Sequence, residues 1–178
     1  SRAVDAARKA TTLSPRNVDD WSNLGLIYQN LLGAVGGADE AVINAYIQSE
    51  QLEPKNPVFP TEIGKTYLFQ ADTLRKTADA LKDDQQKKDA EAKIADRLGL
   101  AVASFNAAIR LKPDYAAAHY NLALALDRQG KLKDAIRRME AVAKAENTDI
   151  GIGFQLALLY YRDGRKDDDG PHHPRKRN

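Results

Sequence analysis

The sequence predicts an all-α fold, and three observations carry that expectation. Of its 178 residues 43% are apolar, largely Ala and Leu, while Gly and Pro together number only 18, so helix formers dominate and breakers fall at intervals. A phrase ending in Leu-x-Pro recurs as Ala10-Thr-Thr-Leu13-Ser-Pro15, Ser49-Glu-Gln-Leu52-Glu-Pro54 and Ala108-Ile-Arg-Leu111-Lys-Pro113. A fourth copy, Val142-Ala-Lys-Ala145-Glu-Asn147, ends in Asn. Between these lies a second phrase: Trp21-Ser-Asn-Leu24-Gly25-Leu-Ile-Tyr28, Pro60-Thr-Glu-Ile63-Gly64-Lys-Thr-Tyr67, His119-Tyr-Asn-Leu122-Ala123-Leu-Ala-Leu126 and Gly153-Phe-Gln-Leu156-Ala157-Leu-Leu-Tyr160. Its framework positions fall at i, i+3, i+4 and i+7, one face of a helix.

Each element follows from these phrases. Residues 1–13 read as the second helix of a pair. Unit one has helices near 18–32 and 38–53, joined by Gly33-Ala-Val-Gly36-Gly37, a loop that needs positive φ. Unit two has helices near 57–82 and 85–111, and unit three near 115–129 and 132–146 with Gly130 as its stop. A last helix covers about 149–163, ended by Gly164. The small residue in each Leu-Gly/Ala pair lets a neighbouring helix approach closely, and Ala101/Phe105/Ala108 and Ala135/Met139/Val142 repeat the logic on second helices.

The pattern resembles the tetratricopeptide repeat, a helix–turn–helix of about 34 residues that buries its apolar face by stacking on its neighbours. The resemblance covers roughly residues 1–165 and is weakest in unit two, where Pro60 replaces the aromatic. It implies a right-handed α-solenoid of antiparallel helix pairs. A half repeat would occupy 1–15, a repeat 16–54, an elongated repeat 55–113, a repeat 114–147 and a partial repeat 148–165. The run also resembles soluble repeat domains attached to bacterial envelope proteins of the O-antigen-ligase-like kind.

The phrase spacings are 39, 59 and 34 residues, so against 34 the second carries 25 extra. The inserted stretch 72–97 holds seven basic and seven acidic side chains, and no Gly or Pro falls between Gly64 and Gly99. Ala71, Leu74, Ala78 and Leu81, then Ile94, Leu98, Ala101, Phe105 and Ala108, step by three and four, the seam of an antiparallel helical pair. A turn at Asp83-Asp84 caps the returning helix. Each unit-two helix should overshoot by about 11 residues, roughly 16 Å. The insertion is a solvated spacer or a docking arm.

Composition excludes several function classes. Net charge is +2, but Arg175, Lys176 and Arg177 supply more than that surplus, so the body is neutral and no nucleic-acid partner is expected. There is no Cys, hence no disulfide, thiolate metal site or cysteine nucleophile. No apolar run reaches the roughly 18 residues of a membrane helix, so a soluble piece without direct membrane insertion is expected, its compartment unspecified: cytoplasmic or the soluble part of an envelope protein. Gly64-Lys65-Thr66 echoes a phosphate loop but lies mid-helix, where backbone N–H groups are already bonded. His119 occupies the place of Trp21 and reads as a packed ring. His172 and His173 lack a third ligand, and Asp167-Asp168-Asp169-Gly170 lacks calcium-loop spacing. No enzyme, cofactor or metal is expected.

The remaining candidate is a surface. The resemblance implies that first helices line a concave groove, presenting Asn23, Leu26 and Asn30 from unit one and Lys65 and Phe69 from unit two. Unit three adds Tyr120, Asn121, Leu124 and Arg128, and the last helix Phe154, Gln155, Leu158 and Tyr161. Before each framework Leu or Ile stand Asn23, Glu62, Asn121 and Gln155. A carboxamide row can pair with an extended peptide's backbone, or else bond within its own turn. Leu26, Leu124 and Leu158 form an apolar stripe interrupted by Lys65. The family's Lys/Asn/Arg carboxylate clamp is not reproduced, so acidic chaperone C-termini are not expected as ligands. A peptide or protein partner is expected.

Both ends break the pattern. Ile150 to Tyr161 is apolar nearly all round, which describes a helix covered on both sides. The text then becomes Asp-Gly-Pro-His-His-Pro-Arg-Lys-Arg-Asn, so residues 166–178 are expected to be a disordered tail and the chain an excised piece or one with an altered terminus. An uncovered last helix would support a homodimer. The alternative to groove binding is therefore an assembly module working through terminal helices or the long hairpin.

Overall fold

A computed structural model describes residues 2–145 and 150–164. Among these the chain forms α-helices and no strand: α1 (Arg2–Leu13), α2 (Val18–Gln29), α3 (Ala38–Leu52), α4 (Val58–Ala78), α5 (Asp84–Leu111), α6 (Ala116–Arg128), α7 (Leu132–Ala145) and α8 (Ile150–Arg162). Each helix packs on the next, and α4 also reaches α6, giving the stacked helix pairs of a tetratricopeptide solenoid. The expected tail, 166–178, lies outside the described residues.

Local chemistry sets the helix ends. Asn17 accepts from the Asp19 N–H, and Asp83 accepts from the Gln86 N–H at 2.7 Å, each satisfying a donor that an N-terminal turn leaves open. Gly33, Gly37, Gly130 and Gly164 have φ of +74° to +78°, the left-handed region that glycine enters without strain. Gly36 does not share it. Helix α2 stops three residues short of the expected position, because the Asn30 side chain donates to the Leu26 carbonyl and the chain turns toward Gly33. Pro60 lies in the first turn of α4, where its missing N–H has no intrahelical acceptor to lose.

The framework residues form the core. Leu24 and Tyr28, Ile63, Leu122 and Leu156 are all buried. A Cβ on Gly25 would lie 2.9 Å from Tyr46 Cε2, and one on Gly64 would lie 2.6 Å from Phe105 Cε1, so in both units the ring of the second helix rests on the first-helix backbone. The three apolar clusters run from α1 to α8 and share half-buried residues: Tyr67 joins the first two, Leu124 and Leu126 the last two.

The elongated pair departs from the symmetric overshoot expected. Helix α4 has 21 residues against 13 in α6, and α5 has 28 against 14 in α7, excesses of 8 and 14. At 1.5 Å per residue these are roughly 12 and 21 Å. The turn takes residues 79–83, so α4 ends at Ala78 and Leu81 lies beyond it. The expected seam is in place: Ala71, Ile94, Leu98, Ala101 and Phe105 are buried together, with Leu74 and Ala78 packed against them.

Candidate functional site

The first helices α2, α4, α6 and α8 are joined edge to edge by polar ties that run from one repeat to the next. Gln29 donates from Nε2 to Glu62 Oε2 at 2.5 Å, linking α2 to α4. Arg128 donates from Nε to Asp72 Oδ1 at 2.6 Å, linking α6 to α4, and the Arg75 guanidinium reaches the Arg128 carbonyl at 3.4 Å. Arg162 donates to both carboxylate oxygens of Asp127, at 2.6 and 2.5 Å, linking α8 to α6. These ties hold the outward stripes of the four helices side by side. The repeat phrase puts Gln29, Glu62, Asp127, Arg128 and Arg162 near the groove but does not reveal their pairing. No fixed spacing announces it, since Asp72 lies nine positions after Ile63 and Asp127 five after Leu122.

The expected groove residues fall into three groups. Asn23, Leu26 and Asn30 share one exposed stripe of α2, and Phe154, Leu158 and Tyr161 share one on α8, with Leu26 53%, Phe154 62% and Tyr161 82% accessible. Tyr120 and Leu124 are half-buried and pack against the core, so they support the surface more than they offer it. Of the others, Asn121, Lys65 and Arg128 are bound within the protein, and the exposed Asn30 also bonds its own helix. Asn30 caps α2, and Asn121 donates to the Ala117 carbonyl of its own helix at 2.7 Å. Lys65 donates to Glu62 at 2.8 Å, and Arg128 holds Asp72. Phe69 lies 3.6 Å from the position of a Gly33 Cβ, and Gln155 is half-buried. In the row of three carboxamides and one acid, Glu62 and Asn121 are engaged within the protein.

Electrostatics behind the row is set by burial. The Tyr46 hydroxyl donates to Gln29 Oε1 at 3.1 Å, and its pKa is pushed up to about 12, chiefly by desolvation and secondarily by the Glu62 carboxylate. Tyr46, Gln29, Glu62 and Lys65 form one continuous polar chain from the second helix of unit one to the surface of α4.

His119 has the role of Trp21 in detail. The Trp21 indole donates to the Pro15 carbonyl at 2.9 Å, and His119 Nε2 bonds the Pro113 carbonyl at 2.7 Å, six residues back in both cases. Arg138 reaches His119 Nδ1 at 3.3 Å, which fixes Nε2 as the protonated nitrogen. Both rings fasten a Leu-x-Pro turn to the following helix, so His119 is structural. At the Gly33–Gly37 loop, Asp39 and Glu40 already occupy the first turn of α3 and complement its positive end, so no external anion is needed there. Among the described residues no group of three His, Cys, Asp or Glu is placed to hold a metal, and no helix is long and apolar enough to cross a membrane.

Comparison with known proteins bears on the fold. Residues 96–130 match the family described as TPR repeat. No curated protein sequence matches the chain. Among solved structures it resembles MamA, at TM-score 0.66 and 20% identity over 92% of this chain and 78% of that one. It also resembles TTC0263, a thermophilic TPR protein of Thermus thermophilus, at TM-score 0.64 and 18% identity over 91% and 73%. A third likeness is to the first TPR of Spaghetti (RPAP3) bound to the HSP90 peptide SRMEEVD, at TM-score 0.61 and 18% identity over 83% and 95%.

Proposed function

We propose that this tetratricopeptide-repeat chain is a non-catalytic protein–protein interaction scaffold that holds a peptide or partner segment along the row of first helices. The supporting observation is the contrast within α2 and α8. Leu24 and Tyr28 of α2 and Ile152, Leu156 and Leu159 of α8 are buried, while Leu26 at one end of the row and Phe154, Leu158 and Tyr161 at the other are large, apolar and open to solvent. Asn23 lies beside the first and Gln155 beside the second, so each apolar contact has a carboxamide for a peptide backbone. The polar ties between α2, α4, α6 and α8 keep the platform rigid, which lowers the ordering cost of binding an extended chain. A relative in fold, the first TPR of Spaghetti, holds a peptide.

Selection from a displayed random-peptide library tests the reading. The wild-type chain should enrich sequences with spaced apolar residues, and Leu26→Asp with Leu158→Asp should abolish the enrichment. Equal enrichment by wild type and the double variant would remove the groove from consideration. One further observation favours assembly as a second reading: Ala157 is exposed, whereas its counterparts Gly25, Gly64 and Ala123 are all buried. Sedimentation velocity over a concentration series separates the two, because self-association through α8 should disappear with Tyr161→Asp while peptide selection through α2 persists.

A further inference from the structure

Three places on a first helix meet the second helix of the same pair. In unit one they are Ser22, whose hydroxyl lies 3.3 Å from that of Ser49, Gly25 under the Tyr46 ring, and Gln29, whose Oε1 accepts from the Tyr46 hydroxyl. Their counterparts in unit two are Thr61 and Leu68, both buried, and Gly64 under the Phe105 ring. In α8 the same places hold Phe154, Ala157 and Tyr161, and all three are exposed. This side of α8 is therefore the side that a second helix covers. It is distinct from the groove side, where Gln155 and Leu158 take the places of Asn23 and Leu26.

Second helices answer with three places of their own, 12, 8 and 5 residues before the Pro or Asn that closes their phrase. They are Val42, Tyr46 and Ser49 in α3 and Ala101, Phe105 and Ala108 in α5, and the same places in α7 are buried as these are. In α1 they are Ala3, Ala7 and Ala10, of which Ala3 is exposed and the other two are only half-buried.

Size decides what fits. Within unit one the first helix offers a glycine, and the second helix lays a tyrosine ring on it. On the two open faces the sizes are exchanged: α8 presents two rings about an alanine, and α1 presents three alanines. Packing at interior density sets large residues against small ones, so the α1 face suits α8, whereas a second α8 would set rings against rings. Helix α1 already lies against α2 as α3 lies against α4. Placed on α8 of another copy, it continues the stack in register and joins the apolar cluster that reaches α8 to the one that includes α1.

We infer that α8 of one copy pairs with α1 of the next, completing a helix pair between chains through Phe154, Ala157 and Tyr161 on one side and Ala3, Ala7 and Ala10 on the other. The inference rests on the reading of α8 as an assembly surface and names its partner. Such a contact is heterologous: each joined assembly keeps one open face of each kind, so it lengthens with concentration instead of stopping at a symmetric dimer. Gln155 and Leu158 stay uncovered, so the peptide row lengthens with the stack.

Mixing two half-blocked variants in sedimentation velocity tests this. Ala3→Glu with Ala7→Glu blocks α1 and leaves α8 intact, while Phe154→Asp with Tyr161→Asp blocks α8 and leaves α1 intact. The wild-type chain should grow past dimers over a concentration series. Each variant alone should self-associate at least about tenfold more weakly. Their equimolar mixture should form a dimer and nothing larger. The mixture joins an untouched α8 to an untouched α1, so local unfolding of an altered helix does not hide the result. Undiminished self-association of the α1 variant alone would overturn the pairing while sparing assembly through α8. A mixture that stays monomeric where the wild type associates would also overturn it. A wild-type chain monomeric at every concentration would end both the pairing and the assembly reading.

Discussion

Helices α4 and α8 carry the same phrase in the same register, and their outward faces meet opposite fates. Thr61 and Leu68 of α4 are 1% and 6% accessible, whereas Phe154 and Tyr161, at the equivalent places on α8, are 62% and 82% accessible. Gly64 lies under the Phe105 ring, while Ala157 is exposed. The difference does not lie in the phrase, which is if anything more apolar in α8. It lies in what the chain brings back: α5 returns to lay Phe105 on Gly64, and α6 arrives beside Leu68. In a stack of this kind burial is a property of neighbours, so one sequence pattern serves as core in one place and as contact surface in another.

The comparison breaks most visibly at the two phenylalanines. Phe105→Ala should destabilise by about 3–5 kcal/mol in urea titrations, because it empties a fully buried site over a backbone that cannot collapse into it. Phe154→Ala should change stability by no more than about 0.5 kcal/mol. Comparable losses would mean that α8 is covered in solution. Next in size come two glycines with opposite expected signs. Gly64→Ala puts a methyl into the Phe105 ring at 2.6 Å and should cost about 1–3 kcal/mol despite its better helix propensity. Gly153→Ala, in α8 with nothing within 4 Å of the new Cβ, should stabilise by about 0.5–1 kcal/mol. The same sign at both sites would refute the distinction between covered and open faces.

Much of this contrast was legible in the sequence. The Leu-Gly/Ala and Leu-x-Pro phrases marked the helices, and the charged stretch with its stepping apolar residues marked the long pair and its Asp83 cap. That α8 was too apolar for an uncovered helix also followed from composition. What the sequence did not contain was the use of each polar side chain. Asn121 and Asn23 stand at equivalent places, yet one bonds its own helix and the other remains exposed. The ties Gln29–Glu62, Asp72–Arg128 and Asp127–Arg162 join residues 33 to 56 positions apart and follow no repeat spacing, because long side chains reach across the stack by different routes. The unequal overshoot of α4 and α5 was hidden for a related reason: apolar periodicity continues to Leu81, but the turn begins before it.

A milder perturbation asks whether the turn, as well as the cover, keeps α4 buried. Asp83→Ala removes the oxygen that accepts from Gln86 N–H at the start of α5 and should cost about 1 kcal/mol. Hydrogen exchange should localise the loss to the protruding ends of α4 and α5, leaving the Gly64–Phe105 contact protected. If protection at Phe105 falls equally, the hairpin and the repeat base unfold as one unit and the overhang is part of the core.

The smallest effect concerns the other covered glycine. Tyr46 rests on Gly25 as Phe105 rests on Gly64, but its hydroxyl adds a bond to Gln29 and a proton held to about pH 12. A proton bound more tightly in the folded state stabilises below the unfolded tyrosine's ordinary value near 10, and that contribution is lost as pH rises from about 10 toward 12. At pH 7, Tyr46→Phe should therefore cost about 0.5–1 kcal/mol, the net value of one hydrogen bond. Between pH 10 and 12 the wild-type chain should lose stability that the variant keeps, so the gap between them narrows, closes and then reverses. Urea midpoints for both proteins at pH 7, 10 and 11 measure this. A gap that widens with pH would mean that folding lowers the tyrosine's pKa, against the desolvation that burial of the ring imposes.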